Sequence, residues 1–244
     1  MKRENIGYLL LVILAITSVI AITLMNPIKQ DEAYHNFSDQ NSFFGVPNFW
    51  NVVTNLPFLA AGVLGPFSIQ NISSGKIQYQ FFFTGVALVS VGSAYYHINP
   101  NNYTLIWDRL PMTVAFMALF SIVTSEFIKE KTGRVLLVPL LLLGLLSIFY
   151  WERTNDLRLY ALVQFYPVLA IPVMLIFLKS KYNMVWGYWG LLLAYVAAKF
   201  FEEYDRAIHQ ALGFISGHSL KHLAAAFGLF ILVYSYLKRS ARIG

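Results

Sequence analysis

The segment from Ser93 to Asp108 reads Ser-Ala-Tyr-Tyr-His-Ile-Asn-Pro-Asn-Asn-Tyr-Thr-Leu-Ile-Trp-Asp and joins the end of one apolar run to the start of the next. Ser93 and His97 are four residues apart, so on a helix they lie on one face, one turn from each other. Pro100 and the asparagines beside it then break the helix. The segment therefore predicts two apolar helices joined by a short turn, with polar side chains gathered where the chain turns.

A second polar cluster lies at the start of the last apolar run, where His218 and His222 are again four residues apart. Three imidazoles, a carboxylate and a hydroxyl at the ends of apolar helices indicate a metal site in a membrane. Three neutral histidines are the ligand set expected for a catalytic zinc that keeps a fourth position for water. A lone histidine at a helix end is more often an interfacial hydrogen-bonding residue, and we interpret His35 and His209 in that way.

Asp108 and Ser93 each have a structural and a catalytic interpretation. Asp108 could form an ion pair with its neighbour Arg109, but its place beside the predicted metal favours a catalytic role. Ser93 could simply help membrane helices to pack. Its interest comes from lying one turn away from His97 on the same helix face.

The composition is that of a membrane protein, with 57% hydrophobic and 12% charged residues, whereas an ordinary soluble domain has about 25% charged residues. Eight apolar runs are each long enough to cross about 30 Å of hydrocarbon. They lie near residues 6–25, 48–67, 78–97, 105–124, 135–151, 159–178, 184–201 and 217–237. The absence of cysteine excludes disulfides and thiol catalysis. The net charge is +6, but the basic residues lie in short loops between the apolar runs and form no basic stripe. We therefore predict no nucleic-acid partner.

The loop charges predict the orientation of the chain. If the N terminus is cytoplasmic and the chain crosses eight times, the cytoplasmic segments hold 11 of the 18 basic residues. The positive-inside rule then favours a cytoplasmic location for both termini, with the polar cluster at the extracytoplasmic face. The first run could be a cleaved secretory signal, but its length and the lack of a small-x-small cleavage site favour an uncleaved anchor.

The pattern Ser93-x-x-x-His97, followed by Asp108 and by His218-x-x-x-His222, resembles that of the alkaline ceramidases. It also resembles the wider superfamily of seven-helix membrane hydrolases that includes the adiponectin-receptor-like proteins. The opening of the second run, Asn-Phe-Trp-Asn-Val-Val-Thr-Asn at positions 48–55, is similar to the start of the first core helix of the ceramidases. The resemblance covers about residues 48–237.

The eight runs predict an all-α, polytopic membrane helix bundle, and the resemblance divides it into segments. Residues 1–28 would form an additional N-terminal transmembrane anchor helix, 29–47 an extracytoplasmic polar loop, and 48–244 a seven-helix hydrolase domain. The resemblance implies that His97, His218 and His222 bind Zn²⁺, that Asp108 transfers the proton and that Ser93 assists the oxyanion.

The activity implied by the resemblance is zinc-dependent hydrolysis of the amide bond of ceramide or a similar N-acyl lipid. The substrate would reach the site from the bilayer and yield a free fatty acid and an amine base. Two alternatives stay open: a related lipid esterase or acyl hydrolase, and a non-catalytic zinc-containing membrane receptor or structural protein. A purely structural zinc more often has four protein ligands, which favours an enzyme.

The chain departs from the family pattern in its additional first helix and in the segment before the first core helix. Eukaryotic members carry an acidic calcium-binding segment there, and this chain matches it poorly. Asn48 stands where those members have a glutamate, and Asp39 is the one plausible survivor. The case for Ca²⁺ is therefore weak and rests on Asp39 alone.

Overall fold

The computed structural model describes residues 2–70, 72 and 75–241. Residue 1 of the predicted anchor segment 1–28, and residues 71, 73, 74 and 242–244 of the predicted hydrolase segment 48–244, lie outside the described residues. The described part of the chain is built from α-helices, with a short 3₁₀ turn at Glu32–His35 in the loop after the first one. The α-helices are α1 Arg3–Leu24, α2 Phe49–Val53, α3 Leu56–Ser68, α4 Lys76–Ile98, α5 Asn102–Phe127, α6 Glu130–Thr154, α7 Arg158–Phe177, α8 Trp186–Glu203, α9 Asp205–Leu212 and α10 Gly217–Lys238.

Among the described residues, six helices are long and apolar enough to cross a membrane, namely α1, α4, α5, α6, α7 and α10. The other two predicted crossings correspond to the broken pair α2–α3 and to α8. Helix α2 ends at Val53 because the ring of Pro57 would clash with the carbonyl four residues earlier. The 18 residues of α8 include three charged residues near its end, Lys199, Glu202 and Glu203, and this charge sets α8 apart from the six spans. The predicted all-α polytopic membrane bundle is confirmed.

Helix α1 lies at the edge of the bundle, alongside α7. The Arg3 guanidinium at its start donates to the Ile176 carbonyl at the end of α7. At the opposite end of α1, Arg158 at the start of α7 donates to the Met25 carbonyl at 2.6 Å. Two of the 22 residues of α1 are buried. This peripheral position is the one expected for a helix that is additional to the core.

The turn between α4 and α5 is built by the asparagines that the sequence places there. The Asn101 side chain accepts hydrogen bonds from the backbone N–H groups of Tyr103 and Thr104, and the Thr104 hydroxyl accepts one from the Asn101 N–H. This reciprocal capping box satisfies donors that the first turn of a helix leaves free. It starts α5 at Asn102 and so fixes Asp108 in the second turn of that helix.

Helices α4 and α5 pack closely because small residues line their contact. A Cβ atom added at Gly92 would lie 1.9 Å from the Trp107 carbonyl oxygen, and one added at Gly85 would lie 2.9 Å from the Ala115 nitrogen. Small residues allow such close approach of helices in membranes. The last turns of α4, which carry Ser93 and His97, are therefore held against the start of α5.

A buried ion pair closes the opposite end of the bundle. Arg239, which follows α10, lies with its Nη1 2.5 Å from Glu126 Oε1 near the end of α5, and both side chains are almost wholly buried. The Tyr79 hydroxyl donates to the same carboxylate oxygen at 2.5 Å. The end of α10 is thereby fastened to α4 and α5.

Candidate metal centre

Three histidines from two distant parts of the chain meet at one end of the bundle. His97 lies in the last turn of α4, and His218 and His222 lie in the first two turns of α10. The ring centroids are 4.9 Å apart for His97 and His218, 5.0 Å for His97 and His222, and 5.0 Å for His218 and His222. One ring nitrogen of each lies within 4.8 Å of the others. The structure therefore brings the three predicted ligands together as a nearly equilateral set.

The ring nitrogens of this set include atoms without hydrogen-bond partners. His97 Nδ1 and His218 Nε2 are buried, and neither has a partner within the described part of the chain. A buried polar atom left unpaired costs roughly 1–3 kcal/mol. Three neutral imidazoles that share a dry site fit a divalent metal of the zinc type, which would take up these lone pairs. The donor set is thus compatible with zinc.

The third histidine has its tautomer assigned by a neighbouring hydroxyl. Thr54 Oγ1 lies 2.6 Å from the Trp50 carbonyl and 3.0 Å from His222 Nδ1. A threonine hydroxyl has one hydrogen, and a carbonyl can only accept, so that hydrogen is donated to Trp50. At the second contact Thr54 therefore accepts, and His222 Nδ1 carries the proton. The Nε2 lone pair of His222 is then the one left for a metal.

The loop before α2 covers the histidines from outside the bundle. The Phe37 ring lies 4.7 Å from the His97 ring and 4.4 Å from the His218 ring, measured between centroids. Asp205 at the start of α9 ties this loop to α10, because its carboxylate accepts from the Ser38 N–H at 2.9 Å and from the His218 N–H at 2.7 Å. The loop thus shields the site from solvent.

Asp108 and Ser93 lie on the wall of one cavity together with His222. Both side chains are buried. Asp108 and Arg109 form no ion pair within the described part of the chain, so no contact supports the structural alternative for Asp108. Successive residues point about 100° apart around a helix of 3.6 residues per turn, so these two side chains diverge.

A cavity of about 290 Å³ connects this polar group to the apolar interior. Ser93, Asp108 and His222 line it together with Arg109 and Lys221. Apolar side chains from six helices form most of the remaining wall, among them Phe58 of α3, Val86 of α4, Met112 of α5, Ile171 of α7, Leu192 of α8 and Leu229 of α10. The cavity therefore has one polar end, beside the histidines, and a long apolar remainder.

The other predicted site residues lie apart from this group. Asp39 is fully buried; its Oδ1 accepts from the Asn41 backbone at 3.0 Å, and its Oδ2 has no partner among the described residues. It does not join the His97, His218 and His222 set, and its assignment to a calcium site stays a prediction.

His35 and His209 make ordinary hydrogen bonds, in agreement with the interpretation given from the sequence. His35 bonds Tyr96 at 2.8 Å and Asn102 at 3.0 Å, and His209 bonds Ser38 at 2.9 Å.

Asn48, which replaces the glutamate of the eukaryotic relatives, donates from its side chain to the His97 carbonyl at 2.8 Å. It therefore holds the main chain of His97 in place beside the other two histidines.

A model of the Ceramidase family matches residues 44–241. The chain belongs to the ceramidase family. The resemblance read from the sequence is confirmed, and no curated protein matches the chain. The ceramidase match begins after α1 and after Asp39, and it includes all five residues Ser93, His97, Asp108, His218 and His222. Membership of the ceramidase family implies a hydrolase that acts on amide bonds and suggests ceramide-hydrolysing activity.

Sequence reasoning did not identify Thr54, Phe37 or Lys221 as neighbours of the three histidines or of the cavity. Thr54 lies in the segment at positions 48–55, whose sequence is similar to the ceramidases but does not by itself indicate a histidine partner. Phe37 lies in a loop whose folded path no periodicity predicts. Lys221 was visible within the His-x-x-x-His motif, but only the packing of α8 against α10 shows that it faces the cavity.

Proposed function

We propose that this chain is a zinc-dependent hydrolase that cleaves the amide bond of ceramide or a similar N-acyl lipid within the membrane. One observation carries the proposal. Three buried histidines, of which His97 and His218 each have an unpaired ring nitrogen, lie with Asp108 and Ser93 at the polar end of an otherwise apolar cavity. A purely structural metal site has no need of a cavity that leads to its ligands.

His97, His218 and His222 would hold the zinc. When bound, zinc supplies a Lewis acid that polarises a carbonyl oxygen and makes water acidic enough to act as a nucleophile near neutral pH. The tautomer fixed by Thr54 keeps the Nε2 lone pair of His222 available for this purpose. Phe37 keeps bulk water away, which strengthens electrostatic interactions at the site.

Asp108 is the proton-transfer group of the proposed reaction. Its carboxylate takes a proton from the attacking water as the new C–O bond forms, and it gives that proton to the amide nitrogen as the C–N bond breaks. The products are a fatty acid and a free amine, and the carboxylate is regenerated. The Ser93 hydroxyl donates a hydrogen bond to the developing oxyanion. Ser93 and Asp108 line the same cavity as His222, so both can reach one bound amide group.

The apolar part of the cavity would bind the acyl chain. Its wall is formed by side chains of α3, α4, α5, α7, α8 and α10, so a chain that enters between helices reaches the site without crossing water. Burial of each methylene is worth about 0.8 kcal/mol, which rewards a long chain over a short one. Ceramide is the substrate that family membership suggests.

We propose the topology and the segments on the basis of the loop charges. Residues 1–28 would anchor the chain, 29–47 would form the extracytoplasmic loop that covers the site, and 48–244 would form the seven-helix hydrolase. Both termini would be cytoplasmic, and the metal centre would lie toward the extracytoplasmic face.

The experiment measures zinc content and turnover on the same preparations of purified protein. Wild type should hold about one zinc per chain and release fatty acid from an N-acyl sphingoid base. Asp108→Asn keeps the shape of the side chain but removes the base, so turnover should fall by about 10²- to 10⁴-fold with zinc largely retained. Glu152→Gln, an exposed carboxylate at the same end of the bundle, is the matched control and should keep both.

Loss of zinc and activity together in Asp108→Asn would show that the aspartate holds the metal centre, and the proton-transfer role would be wrong. Full zinc content with no hydrolysis of any ester or amide lipid by wild type would show a metal-tied scaffold instead of an enzyme. Ser93→Ala should cost less activity than Asp108→Asn, since it removes one of two groups that polarise the carbonyl oxygen.

A further inference from the structure

Arg109 is a buried cation that the proposed reaction does not use. It follows Asp108 on α5, it is 7% exposed, and it lines the same cavity. Its Nη1 has no hydrogen-bond partner, and its side chain makes no ion pair within the described part of the chain. Arginine is almost never fully buried unless it is paired. Its position therefore indicates a partner that the protein itself does not supply.

Aromatic rings hold the guanidinium in place. Arg109 Cζ lies 4.5 Å from the Trp151 ring centroid, 4.9 Å from that of Tyr160 and 5.6 Å from that of Tyr34. A cation over the face of a ring is attracted by the ring, but that contact satisfies none of the N–H donors, which lie in the guanidinium plane. The rings thus orient a fork of donors and leave the fork free to bind carboxylate, sulfonate or phosphate oxygens.

The charges around Arg109 favour an anion. Lys199 and Lys221 line the same cavity and share one carboxylate, Glu202, at 2.5 Å and 2.8 Å. The Tyr34 hydroxyl donates to Glu202 at 3.3 Å, and burial raises the pKa of Tyr34, so it stays a neutral donor. The Lys199 side chain is 42% exposed, so solvent screens its charge, and Lys221 is neutralised by Glu202. Arg109 is then the buried cation of this cavity that no ion pair neutralises within the described part of the chain, and a neutral head group would leave it so.

We propose, resting on the hydrolase function above, that the amine part of the lipid substrate carries an anionic head group that Arg109 binds. The acyl chain lies in the apolar part of the cavity, the amide lies beside Asp108 and Ser93, and the anion lies in the aromatic enclosure of Arg109. The chemistry shared by the candidate head groups is a set of anionic oxygens that can accept two parallel hydrogen bonds.

The test uses four N-dodecanoyl amides that differ only at the head: those of taurine, glycine, O-phosphoethanolamine and neutral ethanolamine. Binding to the full-length protein in a neutral detergent is followed by tryptophan fluorescence, because Trp151 contacts Arg109. Turnover of each amide is measured in parallel. A charge-assisted bidentate contact should favour the anionic amides by about 10- to 100-fold over the ethanolamide. The order among sulfonate, carboxylate and phosphate identifies the head-group class.

Two variants and one control assign the preference to Arg109. Arg109→Gln should remove most of the preference, and Arg109→Lys, which keeps the charge but loses the fork, should restore a part of it. Arg153→Gln removes an exposed arginine from the same end of the bundle and should leave the preference as in wild type. Zinc content of each variant reports whether the centre is intact.

The outcomes separate this inference from the proposed function. Equal binding and turnover of neutral and anionic amides by wild type would overturn the head-group proposal while supporting the hydrolase. Preferential, Arg109-dependent binding of the anionic amides without turnover would overturn the hydrolase and support the anion site. Dodecanoate serves as a further probe: if it binds as tightly as the anionic amides and with the same dependence on Arg109, the arginine binds the released fatty acid, and the head-group assignment is wrong.

Discussion

Replacing Thr54 tests the most specific contact of the metal centre. Thr54→Val keeps the size and branching of the side chain but replaces the hydroxyl by a methyl group. The change removes the acceptor for His222 Nδ1–H, which lies 3.0 Å from Thr54 Oγ1. It leaves the three histidines themselves unchanged. Any loss of zinc affinity therefore reports on how His222 is held.

The expected loss of zinc affinity follows from the burial of Thr54 and His222 and from the tautomer of His222. Both Thr54 and His222 are buried, so water cannot replace the lost hydroxyl at Nδ1. In the zinc-free Thr54→Val variant, the His222 proton can move from Nδ1 to Nε2, or the His222 ring can turn. Zinc binding then has to return the proton and the ring to their wild-type positions, which lowers the zinc affinity. An unsatisfied buried N–H costs about 1–3 kcal/mol, and outer-shell partners of zinc-bound histidines are typically worth about 10- to 100-fold in affinity. We therefore expect a rise of at least about tenfold in the dissociation constant of zinc.

The assay is competition for zinc between the purified protein and a chelator of known affinity. Thr54→Ser keeps the hydroxyl and should bind zinc nearly as well as wild type. Thr113→Val is the matched control, because Thr113 is a buried threonine whose hydroxyl donates only to the Leu110 carbonyl of its own helix. It should leave the zinc affinity unchanged. The melting temperature of each zinc-free variant shows whether folding has been affected.

A wild-type zinc affinity in Thr54→Val would refute the tautomer assignment. So would a loss of the same size in Thr54→Ser, because the serine still offers an acceptor. A comparable loss in Thr113→Val would show that zinc affinity follows general packing rather than this hydrogen bond.

Three further predictions concern the rest of the molecule. Glu126→Gln breaks the buried pair with Arg239 and should lower the free energy of unfolding by about 3–5 kcal/mol, without loss of zinc; an unchanged melting temperature would show that the pair adds nothing. Arg158 hydrogen-bonds Asp156 and lowers the pKa of that carboxyl from 3.8 to about 2. The contribution of the Asp156 carboxylate to the free energy of unfolding is therefore present above pH 4 and is lost as the pH falls toward 2. Asp156→Asn should therefore melt below wild type at pH 6, and the gap should narrow at pH 3; a constant gap would contradict the assignment. Reporter fusions after Gln40 and after Gly244 should give opposite localisation signals, and equal signals would mean that α1 is cleaved or does not cross.

Local patterns were enough to predict the membrane bundle. Runs of about 20 apolar residues need no tertiary information, because a bilayer requires backbone hydrogen bonds to be satisfied within each helix. The spacing of Ser93 and His97, and of His218 and His222, fixes which side chains share a helix face. Residue chemistry then indicates a metal, since buried neutral imidazoles are zinc ligands. The ceramidase family and the three-histidine set were accessible from the sequence for these reasons.

Contacts between distant segments were decided by the tertiary structure alone. Thr54 and His222 are 168 residues apart, and nothing local to either pairs them. Phe37 covers the histidines because Asp205 holds its loop against α10. Arg109 looked like a partner for Asp108 when only adjacency was known, but the helix directs it toward three aromatic rings instead. Side-chain direction relative to other helices depends on how they pack, and packing is a property of the whole chain.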